Sequence, residues 1–201
     1  IKLGTGILIL PQRNPLIVAK ELASLDALSG GRMICGIGVG WLEEEFDALG
    51  VPFHDRGARC DDTVEVLRKA WTGQKVSHAS TFTTFTDCIS LPRPANGTVP
   101  IVVGGDSPAA ARRAGRLGDG YFPGNGAIDH LRGRIDIMRR AAMEAGRDPD
   151  AIEISAGAGG RSVDDIVARA EALREVGVTR LMLGLMPPDQ VLATGEALCA
   201  R

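Results

Sequence analysis

The chain has 201 residues, a hydrophobic fraction of 44%, a charged fraction of 24% and a formal net charge of -2. That is the balance of an ordinary globular protein, and it reads as one domain over residues 1–201. With no basic excess, charge supports no nucleic-acid and no membrane partner and favours small molecules.

The four cysteines, Cys35, Cys60, Cys88 and Cys199, follow no metal-ligand spacing, so no metal and a reducing, cytoplasmic setting are expected. No signal peptide and no run of roughly 20 apolar residues is present in what the sequence shows, although the start reads as cut.

The opening "IKLGTGILIL" is apolar apart from Lys2 and Thr5, the pattern of a strand buried on both faces in a parallel sheet. After "PQRNP", Asn14 suits an N-cap and Pro15 the first helical position. The following helix sets Leu16, Ala19, Leu22, Ala23 and Leu28 near one face and stops at Gly30 and Gly31. "RMICGIGVG" predicts a second buried strand, then a short helical piece and a longer helix ending near Trp71. From Thr72 to Pro100 the composition turns to Ser, Thr and Pro, and "STFTTFTDCISL" alternates like a small hairpin, an excursion from the strand–helix grammar. "PIVVGG" is the third strand, with Asp106 or Ser107 capping a helix from Pro108 to Gly118. "DGYF", "AIEISAG" and "RLMLGL" complete the set, each followed by a helix, the second of these capped by Ser162.

Strands each followed by a helix are what a (β/α) barrel or a doubly wound sheet produces. A complete barrel has eight strands in about 250 residues. The six strand–helix units here are most simply a barrel lacking its first two units, with the doubly wound sheet as the alternative. Such an open barrel would expose unpaired edges, so this chain alone is expected to associate or to be poorly soluble.

In both architectures ligands bind at the carboxyl ends of the strands. Those ends are glycine-rich here: "GIGVGW", "VGGDSP", "FPGNGA" and "SAGAGG". Bare backbone allows close approach of a flat or phosphorylated ligand, and free N–H groups beside a helix start favour an anion. Gly104 and Gly105 before Asp106 and Ser107 form the best phosphate candidate; the Asp106 carboxylate would repel a phosphate unless it points away as a cap. A single glycine cluster is also ordinary turn geometry, and "GIGVG" lacks the full dinucleotide fingerprint. Four clusters together point to a ligand.

The segment from "GTGILILPQRNPLIVAKELASLDALSGGRMICGIGVGW" to "PFHDRGAR", with "PIVVGGDSPAAARRAGRLGDGYF", resembles the luciferase-like monooxygenase superfamily, specifically its coenzyme F420-dependent branch. The resemblance implies an α/β fold, a TIM (β/α)8 barrel here lacking the first two βα units, with "GTGIL" as its third strand. It also implies a bulge with a non-prolyl cis peptide joining Gly6 and Ile7, which backs the deazaflavin ring, so Thr5, Gly6 and Ile7 would lie at the cofactor. Gly38, Val39 and Gly40 would flank it, and Gly104, Gly105, Asp106, Ser107, Gly124, Asn125 and Gly126 would lie near its phosphate. Trp41 stands where sugar-phosphate dehydrogenase members carry an acidic residue, which argues for a larger or more apolar substrate. A homodimer is implied for the intact protein.

The implied chemistry is hydride transfer between F420 and an organic substrate, with the protein positioning the ring and excluding water. FMN is the alternative cofactor, in a luciferase-like monooxygenase, and a non-catalytic cofactor-binding relative is a third reading. The catalytic residue is unknown, because the His and Asp that many members carry would precede Ile1. Glu43 or Glu44 could act as acid or base, or simply be solvated. His54 in "PFHDRG" reads as a bystander on a polar loop, and His78 and His130 are given no role. Arg13 could meet an anionic tail or hydrogen-bond carbonyls in its turn. A phosphate-binding aldolase or isomerase barrel is disfavoured, since none of the four lysines follows a strand.

Overall fold

The computed structural model describes residues 1–124 and 126–199. They form two compact units, Ile1–Val102 and Val103–Arg201.

The first unit begins with two short strands, β1 (Leu3–Gly4) and β2 (Leu8–Ile9), a single turn of 3-10 helix at Leu10–Gln12 and helix α1 (Pro15–Ser29). The Asn14 carboxamide oxygen accepts the backbone N–H groups of Leu16 and Ile17, Pro15 takes the first turn, and Gly30 closes the helix at φ 69. Both ends agree with the sequence reading. The expected single strand, buried on both faces, does not form. It is interrupted at Thr5–Ile7, Leu3 and Ile7 are 47% and 42% exposed, and only Leu10 reaches the core. The face of α1 is also corrected, for Leu28 is exposed while Val18 and Asp26 are buried. Val18, Leu22 and Asp26 are spaced by four residues, and Leu28 falls off that stripe.

Strand β3 (Met33–Gly38) pairs in parallel with β1 through Leu3 and Met33, and with β2 through Leu8 and Ile37. Helices α2 (Glu43–Leu49) and α3 (Arg56–Trp71) follow. Trp71 is buried, and its indole Nε1 donates to the Ala19 carbonyl at 2.9 Å, which locks α3 onto α1. Asp26 is the other buried tie: its carboxylate accepts the Met33 N–H at 3.1 Å and the Ala95 N–H at 2.9 Å. The excursion contains the expected hairpin, β4 (Val76–Ala79) antiparallel to β5 (Thr84–Cys88).

The second unit is a run of parallel strand–helix repeats. The strand β6 (Ile101–Gly104) enters it and is followed by α4 (Pro108–Leu117), β7 (Gly120–Phe122), α5 (Ile128–Glu144), β8 (Glu153–Gly157), α6 (Val163–Glu175), β9 (Arg180–Met182) and α7 (Pro188–Cys199). β7 and β8 pair in parallel, as do β8 and β9. Ser107 caps α4 through the Ala110 N–H, and Ser162 caps α6 in a reciprocal box with Asp165. Helices α4 and α5 approach closely at Gly115, where a Cβ would meet the Met138 carbonyl and the Ala142 nitrogen. Arg147 then closes the end of α4, donating to the carbonyls of Gly115 at 2.7 Å and Gly118 at 2.6 Å. Tyr121, Leu131, Met138, Ile166 and Leu173 fill this unit's core. Among the described residues no helix is long and apolar enough to cross a membrane.

Candidate functional site

In the first unit the chain between β1 and β2 is held from beside. The Thr5 N–H donates to the Ile34 carbonyl at 3.2 Å, and its Oγ1 donates to the Gly36 carbonyl at 2.8 Å. The peptide bond between Gly6 and Ile7 is cis. Among the described residues, chain neighbours apart, a Cβ on Gly6 would meet nothing within 4 Å, and Ile7 is 42% exposed, so this stretch presents an open, uncluttered backbone face.

Glycines in the next loop have a different cause. A Cβ on Gly38 would lie 2.6 Å from Ile7 Cδ1, and one on Gly40 would lie 2.8 Å from Phe46 and 2.9 Å from Ile9. Protein side chains crowd both positions, at Gly38 only through the flexible tip of Ile7, while Gly40 also sits at φ 79, where glycine is favoured. Arg56, the first residue of α3 and part of the stretch quoted above as "PFHDRG", donates from Nε to the Gly40 carbonyl at 3.3 Å while its guanidinium lies 3.8 Å over the Phe53 ring. Phe53 meets Phe46 edge-on with centroids 5.2 Å apart. Arg56 is therefore the residue that fixes this loop, a role the sequence reading did not give it. Trp41 is 82% exposed, and Glu43, Glu44, His54 and Arg13 are exposed as well. The backbone N–H of Arg13 closes the preceding turn on Leu10.

The second unit carries the other strand-end loops. Gly105, at φ 128, does not offer its N–H to a ligand, because it donates to the Phe122 carbonyl at 3.1 Å. That corrects the picture of two successive free N–H groups at Gly104 and Gly105. The Gly105 carbonyl accepts the Tyr121 hydroxyl at 3.1 Å. Burial pushes the Tyr121 phenol well above its usual range, the Asp106 charge pushes the same way, and Arg134 partly opposes them. Tyr121 thus stays a neutral donor.

Asp106 is not the cap of α4, since Ser107 is. Its carboxylate instead meets His130 Nε2 at 2.6 Å, and its carbonyl accepts Arg134 Nε at 2.5 Å. The His130 ring lies against Gly126, where a Cβ would come within 2.9 Å of its Cδ2. Arg169 donates to the Gly126 carbonyl at 2.8 Å. Gly124 sits at φ 91 with open space around it; Asn125 lies outside the described residues. His130 stands 24 residues from Asp106, a separation at which sequence gives no signal of pairing.

His78 was also missed. It is buried, with Nε2 2.7 Å from Asp62 and Nδ1 3.0 Å from Lys69 Nζ, and its ring stacks on Phe85. It pins the hairpin to α3 and leaves Asp62 Oδ2 as a buried oxygen without a partner among the described residues. Cys35 is buried next to Cys60, and burial first, then that neighbour, raises its thiol to about 12.

The model of the luciferase-like monooxygenase family matches residues 1–197, across both units. The chain belongs to the luciferase-like monooxygenase family. An uncharacterised protein of Mycobacterium tuberculosis is 36% identical over 90% of this chain and 61% of its own length. The FMNH2-dependent dimethylsulfone monooxygenase of Pseudomonas putida is 33% identical over 66% of this chain and 38% of that enzyme. Among solved structures, the coenzyme F420-dependent tetrahydromethanopterin reductase of Methanopyrus kandleri superposes with a TM-score of 0.81 at 20% identity, covering 98% of this chain and 80% of that one. The α/β fold is that of the luciferase-like TIM-barrel enzymes, as the sequence resemblance implies. The chain spans about three fifths of the length of the first relatives it matches.

Proposed function

We propose that this protein is a coenzyme F420-dependent oxidoreductase that transfers a hydride between the deazaflavin and a small organic substrate. The observation that carries the reading is the open backbone face at Gly6 and Ile7, anchored by the Thr5 hydroxyl, in a chain whose family members use redox cofactors of this flat-ringed kind. A flat ring needs an uncluttered wall, and the empty Cβ direction of Gly6 provides one. Thr5 keeps that wall fixed through its paired bonds to Ile34 and Gly36. Val39 and Gly40 border it in the proposal, held by Arg56 from behind.

The phosphate side is assigned to the loops of the second unit. Ser107 accepts one bond from Ala110 and keeps its own hydroxyl hydrogen to donate, and the start of α4 adds a favourable dipole for an anion. Gly104, Gly105, Gly124 and Gly126 are assigned there as the backbone that lets the tail approach; Asn125, outside the described residues, is assigned with them on the resemblance alone. When bound, the deazaflavin supplies a carbon that accepts or donates a hydride. The chain's part is to bind, orient and keep water from that carbon.

FMN dependence is the second reading, supported by the 33% identical FMNH2-dependent enzyme. Titrating the full-length protein with F420 and with FMN, each followed by fluorescence at equal ionic strength, tests the choice. Tight binding of F420 alone supports the proposal; preference for FMN moves the function to a flavin monooxygenase, and binding of neither favours a non-catalytic relative.

A further inference from the structure

Asp106 raises a chemical problem for the phosphate assignment. Its carboxylate directly precedes the Ser107 cap of α4 and its side chain is 58% exposed, so a free negative charge would stand at the helix start that is meant to attract one. The structure ties it down from a second loop. His130 Nε2 meets Asp106 Oδ1 at 2.6 Å, Arg134 Nε donates to the Asp106 carbonyl and lies 3.6 Å from the same Oδ1, and His130 packs its ring on Gly126. One histidine thereby joins both loops assigned to the phosphate, with Arg169 fixing the far side of Gly126.

We infer that His130 is a positioning residue that sets selectivity for the phosphorylated form of the cofactor, by holding the Asp106 carboxylate away from the phosphate. This rests on the cofactor reading above. The groups around the pair have divided duties. Arg134 donates to the Asp106 carbonyl and stands 3.6 Å from the carboxylate, Tyr121 donates to Gly105, and Asp129 is paired with Arg132 at 3.4 Å, so His130, at 2.6 Å, makes the closest contact with the carboxylate itself.

The test compares ligands that differ by the phosphate-bearing tail: FMN against riboflavin, and F420 against its phosphate-free deazaflavin core. In H130A the carboxylate, left with Arg134 alone, is expected to weaken FMN and F420 by roughly three- to tenfold, the range for one like charge brought nearer at the surface, and to leave the phosphate-free partners unchanged. Added salt shrinks the difference. H130Q, whose amide N–H can still reach Asp106, restores it, and D106N in the H130A background does the same. A loss shared equally by phosphorylated and phosphate-free ligands, or no loss at all, overturns the inference while the cofactor reading stands. Wild-type protein that binds none of the four ligands overturns the cofactor reading, and this inference with it.

Discussion

Thr5 and Gly36 are made for each other: the Thr5 hydroxyl donates to the Gly36 carbonyl at 2.8 Å, while a Cβ on Gly36 would collide with the Thr5 carbonyl oxygen. The open face at Gly6 depends on that close approach. Gly36→Ala should push the Thr5–Ile7 segment off β3, costing about 1–3 kcal/mol of stability by overpacking and lowering cofactor affinity with it. Denaturant unfolding and a cofactor titration on the same preparation check both; unchanged values would show that the strands part without consequence.

Asp26 should be among the more costly carboxylates to remove. Asp26→Ala leaves the N–H groups of Met33 and Ala95 without their acceptor, at about 3 kcal/mol for the pair of lost bonds. Asp26→Asn keeps one good acceptor and should cost less. Urea unfolding midpoints at constant slope rank the variants.

The hairpin is held to α3 by His78, by its bonds to Asp62 and Lys69, and by Arg59 lying 4.8 Å over the Phe82 ring. His78→Ala should free β4 and β5 without unfolding the unit, so limited proteolysis between Ser80 and Thr83 should accelerate several-fold while the melting temperature moves little. Equal cleavage in wild type and variant would mean that the ring is not the tie.

Cysteine reactivity should separate the four thiols. Burial raises Cys35 to about 12, so at pH 8 its thiol stays protonated and the native protein should not be alkylated there. Cys199 is exposed and should react first. Mass spectrometry after brief alkylation reads the order, and early modification of Cys35 would contradict the burial.

Much of this fold was legible because its signals are local. Asn14 with Pro15, Ser107 with Pro108, and Ser162 three residues before Asp165 each carry a helix start in a few adjacent side chains, and the structure has all three. The hairpin was legible in its alternation. What could not be read depends on partners distant in sequence. The Gly105 N–H looked free until Phe122 took it, the Ile7, Ile9 and Phe46 side chains that crowd the Cβ positions of Gly38 and Gly40 carry no local signal, and the His130–Asp106 and His78–Asp62 pairs join residues 24 and 16 positions apart. The first strand misled for the opposite reason. Its apolar pattern promised a buried strand, whereas Leu3 and Ile7 are exposed and the pairing breaks at Thr5–Ile7.

The most direct test of the cofactor assignment is the affinity of full-length Gly6→Val for F420, set beside that of wild type. Among the described residues, chain neighbours apart, none lies within 4 Å of the Cβ direction of Gly6, so the added side chain has room but would stand where the ring is assigned. The account predicts a melting temperature near that of wild type and an F420 affinity at least tenfold weaker, a loss of about 1.4 kcal/mol or more. Unchanged affinity in a folded variant would place the cofactor elsewhere and contradict it.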